Sequence, residues 1–242
     1  MKKITLKIFP LILLFAFSSL AFGESKEVLK FSIDYGFIHA GTASMTLTQL
    51  DDSTYKHSTL AKSAKFFDWF FKVRDTLDTF IDTKTLQPRA FRKVQNEGPY
   101  NKKYQADFFA ESDSLYKVVS KDTVLTNENP IFDPLSAFFF VRNQAFTVGD
   151  TLNLNYVNNN KFYEMAVIVH AEEEIKVKAG KFDCYKIEPV SALPGAGLFK
   201  AEGKLMIWIT RDERKMPVKV EGKAIVGSIS VQLTDFSGEK ID

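Results

Sequence analysis

Asp133-Pro134-Leu135-Ser136-Ala137-Phe138-Phe139-Phe140-Val141-Arg142 is a short helix signal in a chain that otherwise reads as strand after strand. Asp133 suits the N-cap, where its carboxylate accepts from the unpaired N–H groups of the first turn. Pro134 suits the first helical position, where a missing N–H costs nothing. Leu135, Phe138, Phe139 and Arg142 follow at helical spacing, so an aromatic stripe faces one way. Among strands, such an element either plugs a curved sheet or lines a pocket within it.

Upstream, Leu29, Phe31, Ile33, Tyr35 and Phe37 alternate with Lys30, Ser32, Asp34 and Gly36, the pattern of a half-buried strand. Alternation resumes from Met45 to Leu50 and, after the turn Asp51-Asp52-Ser53, from Tyr55 to Ala64, which makes an antiparallel meander. Phe66-Phe67-Asp68-Trp69-Phe70-Phe71 breaks the period with five aromatics in six residues. It reads either as a bulky strand end in the core or as a helical turn or loop at the mouth of a cavity, because a bare run of this kind invites aggregation. Arg89 to Glu97 and Tyr100 to Ala110 form a hairpin around Gly98-Pro99. Its residues Arg89, Arg92, Lys93, Lys102 and Lys103 read as a solvated basic face diluted by acids, and no nucleic-acid partner is expected.

Downstream of the helix, strands are expected at Leu152 to Val157, Phe162 to Val169 and Phe182 to Val190, then in three runs between Glu202 and Phe236. Glu172-Glu173-Glu174 reads as an exposed corner, since three adjacent carboxylates repel when forced onto one metal. Leu193 to Leu198 reads as a glycine-containing loop. The expectation is a mainly all-β protein: an antiparallel, strongly curved sheet or open half-barrel of ten or more strands, with one or two short helices. Residues 24–242 read as a single domain.

Residues 1–23 read as a secretory signal: Lys2, Lys3 and Lys7, an apolar run from Ile8 to Phe22, then Ala21 and Gly23 before a cleavage point. The run falls short of a membrane span and no cysteine follows it, so the mature chain is expected in the periplasm or outside the cell, with neither lipid anchor nor transmembrane segment. Three of the 32 basic residues lie in this segment, leaving 29 against 30 acidic ones, so the precursor's excess of positive charge is no argument for an anionic partner. The lone Cys184 cannot form an internal disulfide and reads as a buried small hydrophobe.

Four stretches carry a family likeness: Ile38-His39-Ala40-Gly41-Thr42, Asp133 to Ser136 with Arg142, Ala179 to Cys184, and Leu205 to Thr210 running through Arg211-Asp212 to Met216-Pro217-Val218. In these the chain resembles the uncharacterised bacterial family catalogued as domain of unknown function 3108 (DUF3108). The resemblance implies an exported β-rich protein similar to the open half-barrels of periplasmic lipoprotein carriers, in which a curved sheet encloses an apolar cavity under helices. It implies no activity.

No catalytic residue, metal site or cofactor is expected. His39, His57 and His170 lack metal-ligand spacing and read as surface or turn histidines, Ser136 belongs to a helical first turn, and no phosphate loop or dinucleotide fingerprint is present. Charges on both faces of many strands and the internal helix oppose an outer-membrane barrel. What stands out is aromatic content: 14%, with 23 Phe. The leading expectation is a non-catalytic periplasmic carrier for a lipid, acyl chain or lipidated partner. Phe66, Phe67, Trp69, Phe70, Phe71, Phe138 and Phe139 would line its cavity, with Arg142 either at a headgroup or in an ion pair with a sheet carboxylate. The rival is an envelope assembly or structural factor whose aromatics bind another protein; a hydrolase with carboxylates on distant strands ranks third.

Overall fold

The period-two stretches become strands. The computed structural model describes residues 25–112, 114–121, 123–191, 205–223 and 227–239. Residues 1–23, expected to be a secretory signal, and residues 193–198, expected to be a loop, lie outside the described residues. In chain order the elements are β1 (Lys26–Tyr35), β2 (Ile38–Asp51), β3 (Thr54–Ser63), the helical turn α1 (Lys65–Asp68), β4 (Arg74–Asp82), β5 (Pro88–Glu97), β6 (Tyr100–Ser112), β7 (Leu115–Ser120) and β8 (Thr123–Asn127). There follow β9 (Ile131–Phe132), α2 (Pro134–Arg142), β10 (Thr151–Asn158), β11 (Lys161–Val177), β12 (Gly180–Ser191), β13 (Leu205–Thr210), β14 (Pro217–Lys223) and β15 (Ser228–Ser237).

All fifteen strands belong to one sheet, in the order β8-β7-β6-β5-β4-β3-β2-β1-β15-β14-β13-β12-β11-β10-β9. Neighbours are antiparallel except β9, which runs parallel to β10. The first and last strands join at the centre, with Leu29 opposite Phe236 and Phe31 opposite Leu233. A twisted sheet this long curls on itself, and here the curl brings β7 against β9. The result is a nearly closed barrel rather than the open half-barrel expected.

Side chains bridge the side that the hydrogen-bond ladder leaves open. Lys93 Nζ on β5 donates to Asn158 Oδ1 and Asn159 Oδ1 at 3.0 and 2.8 Å, and Ser120 Oγ on β7 donates to Asn160 Oδ1 at 2.8 Å. The accepting turn places Asn159 and Asn160 at φ +50° and +62°, left-handed values that asparagine tolerates better than most residues. Lys93 therefore does not belong to a solvated basic face. It follows Phe91 by two residues on the inward side of β5 and is buried, while Arg89 and Arg92 stay outside. Desolvation pulls its ammonium pKa down to about 8.

The helix α2 occupies the barrel interior, with seven of its nine residues buried. Asp133 caps it as expected: its carboxylate accepts from the N–H groups of Leu135 and Ser136, and Ser136 Oγ accepts from the N–H of Asp133. The helix joins the two halves of the sheet. Leu135 packs with Phe91, Phe108, Val118 and Val157, and Phe139 with Leu47, Tyr55 and Ile81. Ala137 and Val141 pack with Leu154, Val167, Ile187 and Ile209 on the other side. Each large apolar side chain buried this way contributes about 1.5–3 kcal/mol, so α2 is a core element for both halves.

Two further local expectations are corrected. Glu172, Glu173 and Glu174 lie within β11, not at a corner, and the chain turns just before Gly180. Alternation divides the three acids between faces, and each meets a cation from a neighbouring element: Glu172 pairs with Arg211, Glu173 with Lys186 and Glu174 with Lys181. His57 is fully buried on β3 instead of being a surface or turn residue. It shares the inward face with Tyr55 and meets the ring of Phe139 at a centroid distance of 6.1 Å. Cys184 is buried, and burial raises its thiol pKa to about 12.

Candidate binding rim

Because the strands alternate in direction, the β1–β2, β3–β4 and β5–β6 connections emerge at the same end of the barrel. The β3–β4 connection carries the aromatic run. Ala64 leaves β3 extended and donates its N–H to the Ala40 carbonyl at 2.8 Å, after which α1 makes one turn. The Phe71 N–H closes the next turn on the Phe67 carbonyl at 2.7 Å. Asp68 braces the loop from inside: Arg74 donates to both its carboxylate oxygens, through Nη1 at 3.0 Å and Nη2 at 2.6 Å, and Ser63 Oγ donates to one of them. The Val73 N–H donates to the same Ser63 hydroxyl at 2.8 Å. The Arg74 and Ser63 bonds hold the Asp68 carboxyl below its ordinary pKa.

On this brace the rings are ordered, and all but the half-buried Phe67 are exposed. Phe66 meets Phe67 and Phe70 edge to face, at centroid distances of 5.7 and 5.9 Å, and Phe67 lies 5.1 Å from Phe70. Phe71 covers Gly98 in the β5–β6 turn, where a Cβ would stand 2.9 Å from its ring. Trp69 is 90% exposed and Phe66 72% exposed; Phe70 and Phe71 are also exposed. The adjoining β1–β2 turn adds Phe37, fully exposed, and Ile38. The alternation from Leu29 hid Phe37, since it continues the apolar face; the backbone turns at Gly36 (φ +58°) and leaves Phe37 outside. Lys62, Lys65 and Lys72 stand exposed around the run, and Asp68, the acid within it, is already matched by Arg74.

The helix residues lie elsewhere. Phe139 is buried beside Tyr55 and His57, about 20 Å along β3 from Ser63 at ~3.3 Å per residue. Phe138 is half-buried against the core of β10 to β13. Arg142 is 3% exposed and donates through Nη2 to both carboxylate oxygens of Glu27, itself 1% exposed on β1. Its Nε donates to the Lys215 carbonyl at 2.9 Å. The structure thus groups residues 66 to 71 at one rim and places Phe138, Phe139 and Arg142 in the interior. Glu27 was foreshadowed only by its place two residues before Leu29, on the same inward face.

The buried polar groups near α2 serve the fold. Asp133 also accepts from Thr79 Oγ1 at 2.6 Å, and burial raises its pKa. Neither ring nitrogen of His57 has a hydrogen-bond partner of good geometry, and desolvation, with Arg142 nearby, depresses its pKa to about 3. It is therefore neutral at physiological pH. Among the described residues no group of three or more His, Cys, Asp or Glu is arranged to hold a metal ion. A hollow bounded by Pro88, Phe108, Tyr116 and Ile131 has a volume of about 10 Å³, room for one water rather than a ligand. Among the described residues no helix is long and apolar enough to cross a membrane.

No curated protein matches the chain. Among solved structures it is similar to a β-barrel-like protein of domain of unknown function DUF1849 from Brucella abortus, with a TM-score of 0.61 and 10% identity over 90% of this chain and 99% of that one. That likeness speaks for the fold. A candidate exported protein with a YmcC-like fold from Bacteroides fragilis aligns with a TM-score of 0.32 and 15% identity, over 87% of this chain and 95% of that one. The model of the family described as protein of unknown function (DUF3108) matches residues 30–234, from β1 to β15, and the chain belongs to that family.

Proposed function

We propose that the protein is a non-catalytic, exported binding protein for an apolar ligand: a lipid, an acyl chain or a lipidated partner. The supporting observation is the braced aromatic rim, in which Phe66, Trp69, Phe70 and Phe71 are exposed and Phe67 is half-buried among them. Aromatic side chains at this density are normally covered or used, and here a dedicated Asp68–Arg74–Ser63 brace holds them outward. Since α2 fills the interior, the rim is the first contact surface, and Phe138, Phe139 and Arg142 act as the plug an acyl chain must displace to go deeper. Burial alone supplies affinity, at about 0.8 kcal/mol per methylene.

A second reading, an envelope assembly factor that binds protein, draws on β8, a sheet edge with exposed Val124 that an added strand can extend. Native mass spectrometry of protein purified from its own cell envelope, together with titration of a fluorescent fatty acid, tests the first reading. A co-purifying lipid, or saturable probe binding weakened by Trp69→Ala, is expected. Absence of both lipid and probe binding, with one stoichiometric protein captured by cross-linking, overturns it in favour of the second.

A further inference from the structure

We infer that the rim is a docking surface for an anionic phospholipid bilayer, an inference that rests on the apolar-binding reading and names where its ligand is met. Three observations carry it. First, the exposed aromatics project from adjacent connections at one end of the barrel: Phe37 from β1–β2, and Phe66, Trp69 and Phe70 from β3–β4. An end-on cluster suits a planar surface, whereas a groove would suit a peptide.

Second, the β3–β4 connection that carries most of the cluster is itself predominantly basic, with Asp75 and Glu97 as acids just beyond it and Asp34, near the Phe37 turn, paired with His39. Between residues 62 and 74 lie Lys62, Lys65, Lys72 and Arg74 against the single acid Asp68. Arg74 consumes that acid in a 2.6 Å ion pair, which leaves the three exposed lysines directed at solvent. The near-neutral charge expected of the mature chain conceals this local excess. Aromatic rings that settle at headgroup level, ringed by lysines that attract acidic headgroups, are the composition an anionic interface selects.

Third, the cluster is built in advance. The Ser63–Asp68–Arg74 brace and the packing of Phe71 on Gly98 order the loop without covering its rings, so insertion costs little further ordering. Trp69 would enter the interface, while the other tryptophan, Trp208, stays buried in the barrel wall with its Nε1–H donating to Glu173.

The test is vesicle binding by the full mature chain, using phosphatidylcholine vesicles with and without phosphatidylglycerol, some carrying brominated acyl chains. Salt-sensitive co-sedimentation with the phosphatidylglycerol vesicles is expected, with bromine quenching of Trp69 and not of Trp208. Trp69→Ala with Phe70→Ala, and separately Lys65→Glu with Lys72→Glu, should each weaken partitioning by about tenfold or more. All four positions are exposed, so the variants should unfold like the parent. Failure to bind the anionic vesicles, or charge reversal without effect, overturns the inference. Fatty-acid binding without vesicle binding overturns it while leaving the apolar-ligand reading standing; vesicle binding without fatty-acid binding upholds it and confines that reading to lipids met in a bilayer.

Discussion

The Arg142 guanidinium donates to Glu27 Oε1 and Oε2 at 3.1 and 2.8 Å, joining the last turn of the interior helix to the first strand across 115 residues of sequence. Arg214 adds a contact of 3.3 Å to Oε1, and the carbonyls of Arg214 and Lys215 accept from Arg142. The start of β1, the end of α2 and the β13–β14 corner therefore meet at one buried charge cluster. Removing one member strands the other in a medium that solvates it poorly. Glu27→Gln should lower stability by about 3–5 kcal/mol in urea unfolding. The apolar pair Glu27→Leu with Arg142→Met should recover much of that loss, because the two most deeply buried charges go together and only the partly exposed Arg214 loses its carboxylate. A double variant no more stable than Glu27→Gln would show that the pair is worth more than apolar packing in its place.

His57 makes stability depend on pH in a defined direction. In the unfolded chain its imidazole takes up a proton near pH 6.5, but burial holds the native pKa at about 3. Between these values the unfolded state binds the extra proton, so stability falls as pH drops from about 6.5 towards 3, with a slope approaching ~1.4 kcal/mol per pH unit. Asp133 acts in the opposite sense, in a window that begins at its unfolded pKa near 3.8 and extends upward. Its native pKa is raised by burial, so between that value and its unfolded pKa the native state holds the extra proton. Urea midpoints measured from pH 7 to pH 4 should decline for the parent, and Leu at position 57 should flatten that decline. An unchanged slope in His57→Leu would assign the acid sensitivity elsewhere.

Cys184 gives a native chemical probe for opening of the β12–β13 region. Burial, reinforced by the nearby carboxylates of Asp183, Asp212 and Glu173, raises its thiol to about 12, so the native protein holds almost no thiolate at neutral pH. An aromatic disulfide reagent should react only as fast as the barrel opens, and should react quickly in concentrated urea. Rapid stoichiometric labelling of the folded protein would contradict the buried position.

What could be read in advance followed the range of the interactions. Asp133, Pro134 and Ser136 specify a helix start within four residues, and the alternation of Leu29 and Phe31 specifies a strand, so α2 and the meander were legible. Closure of the barrel was not, because it depends on accumulated twist and on Lys93 meeting Asn158 and Asn159 far along the chain. The run Glu172 to Glu174 misled for a related reason. Its like charges argue for a corner locally, yet Arg211, Lys186 and Lys181 neutralise them from neighbouring elements. At the rim, the aromatic run was visible; its exposure was decided by the brace between Asp68 and Arg74.

Two aromatic truncations separate interior from rim. Phe139 is buried against Tyr55 and His57, with its ring edge-on to Tyr55 at 5.9 Å, and its neighbours belong to strands that cannot easily collapse into a cavity. Phe139→Ala should cost about 3–5 kcal/mol in urea unfolding. Trp69 is larger but 90% exposed, so Trp69→Ala should change stability by no more than about 0.5 kcal/mol. Its effect should appear instead in the binding of an apolar probe, which requires the exposed ring and not the folded core. If Trp69→Ala destabilised as much as Phe139→Ala, the rim would be part of the core and its exposure would lose its functional meaning. If Phe139→Ala left stability intact while altering probe retention, α2 would be a movable gate and not the plug that ties the two halves of the barrel together.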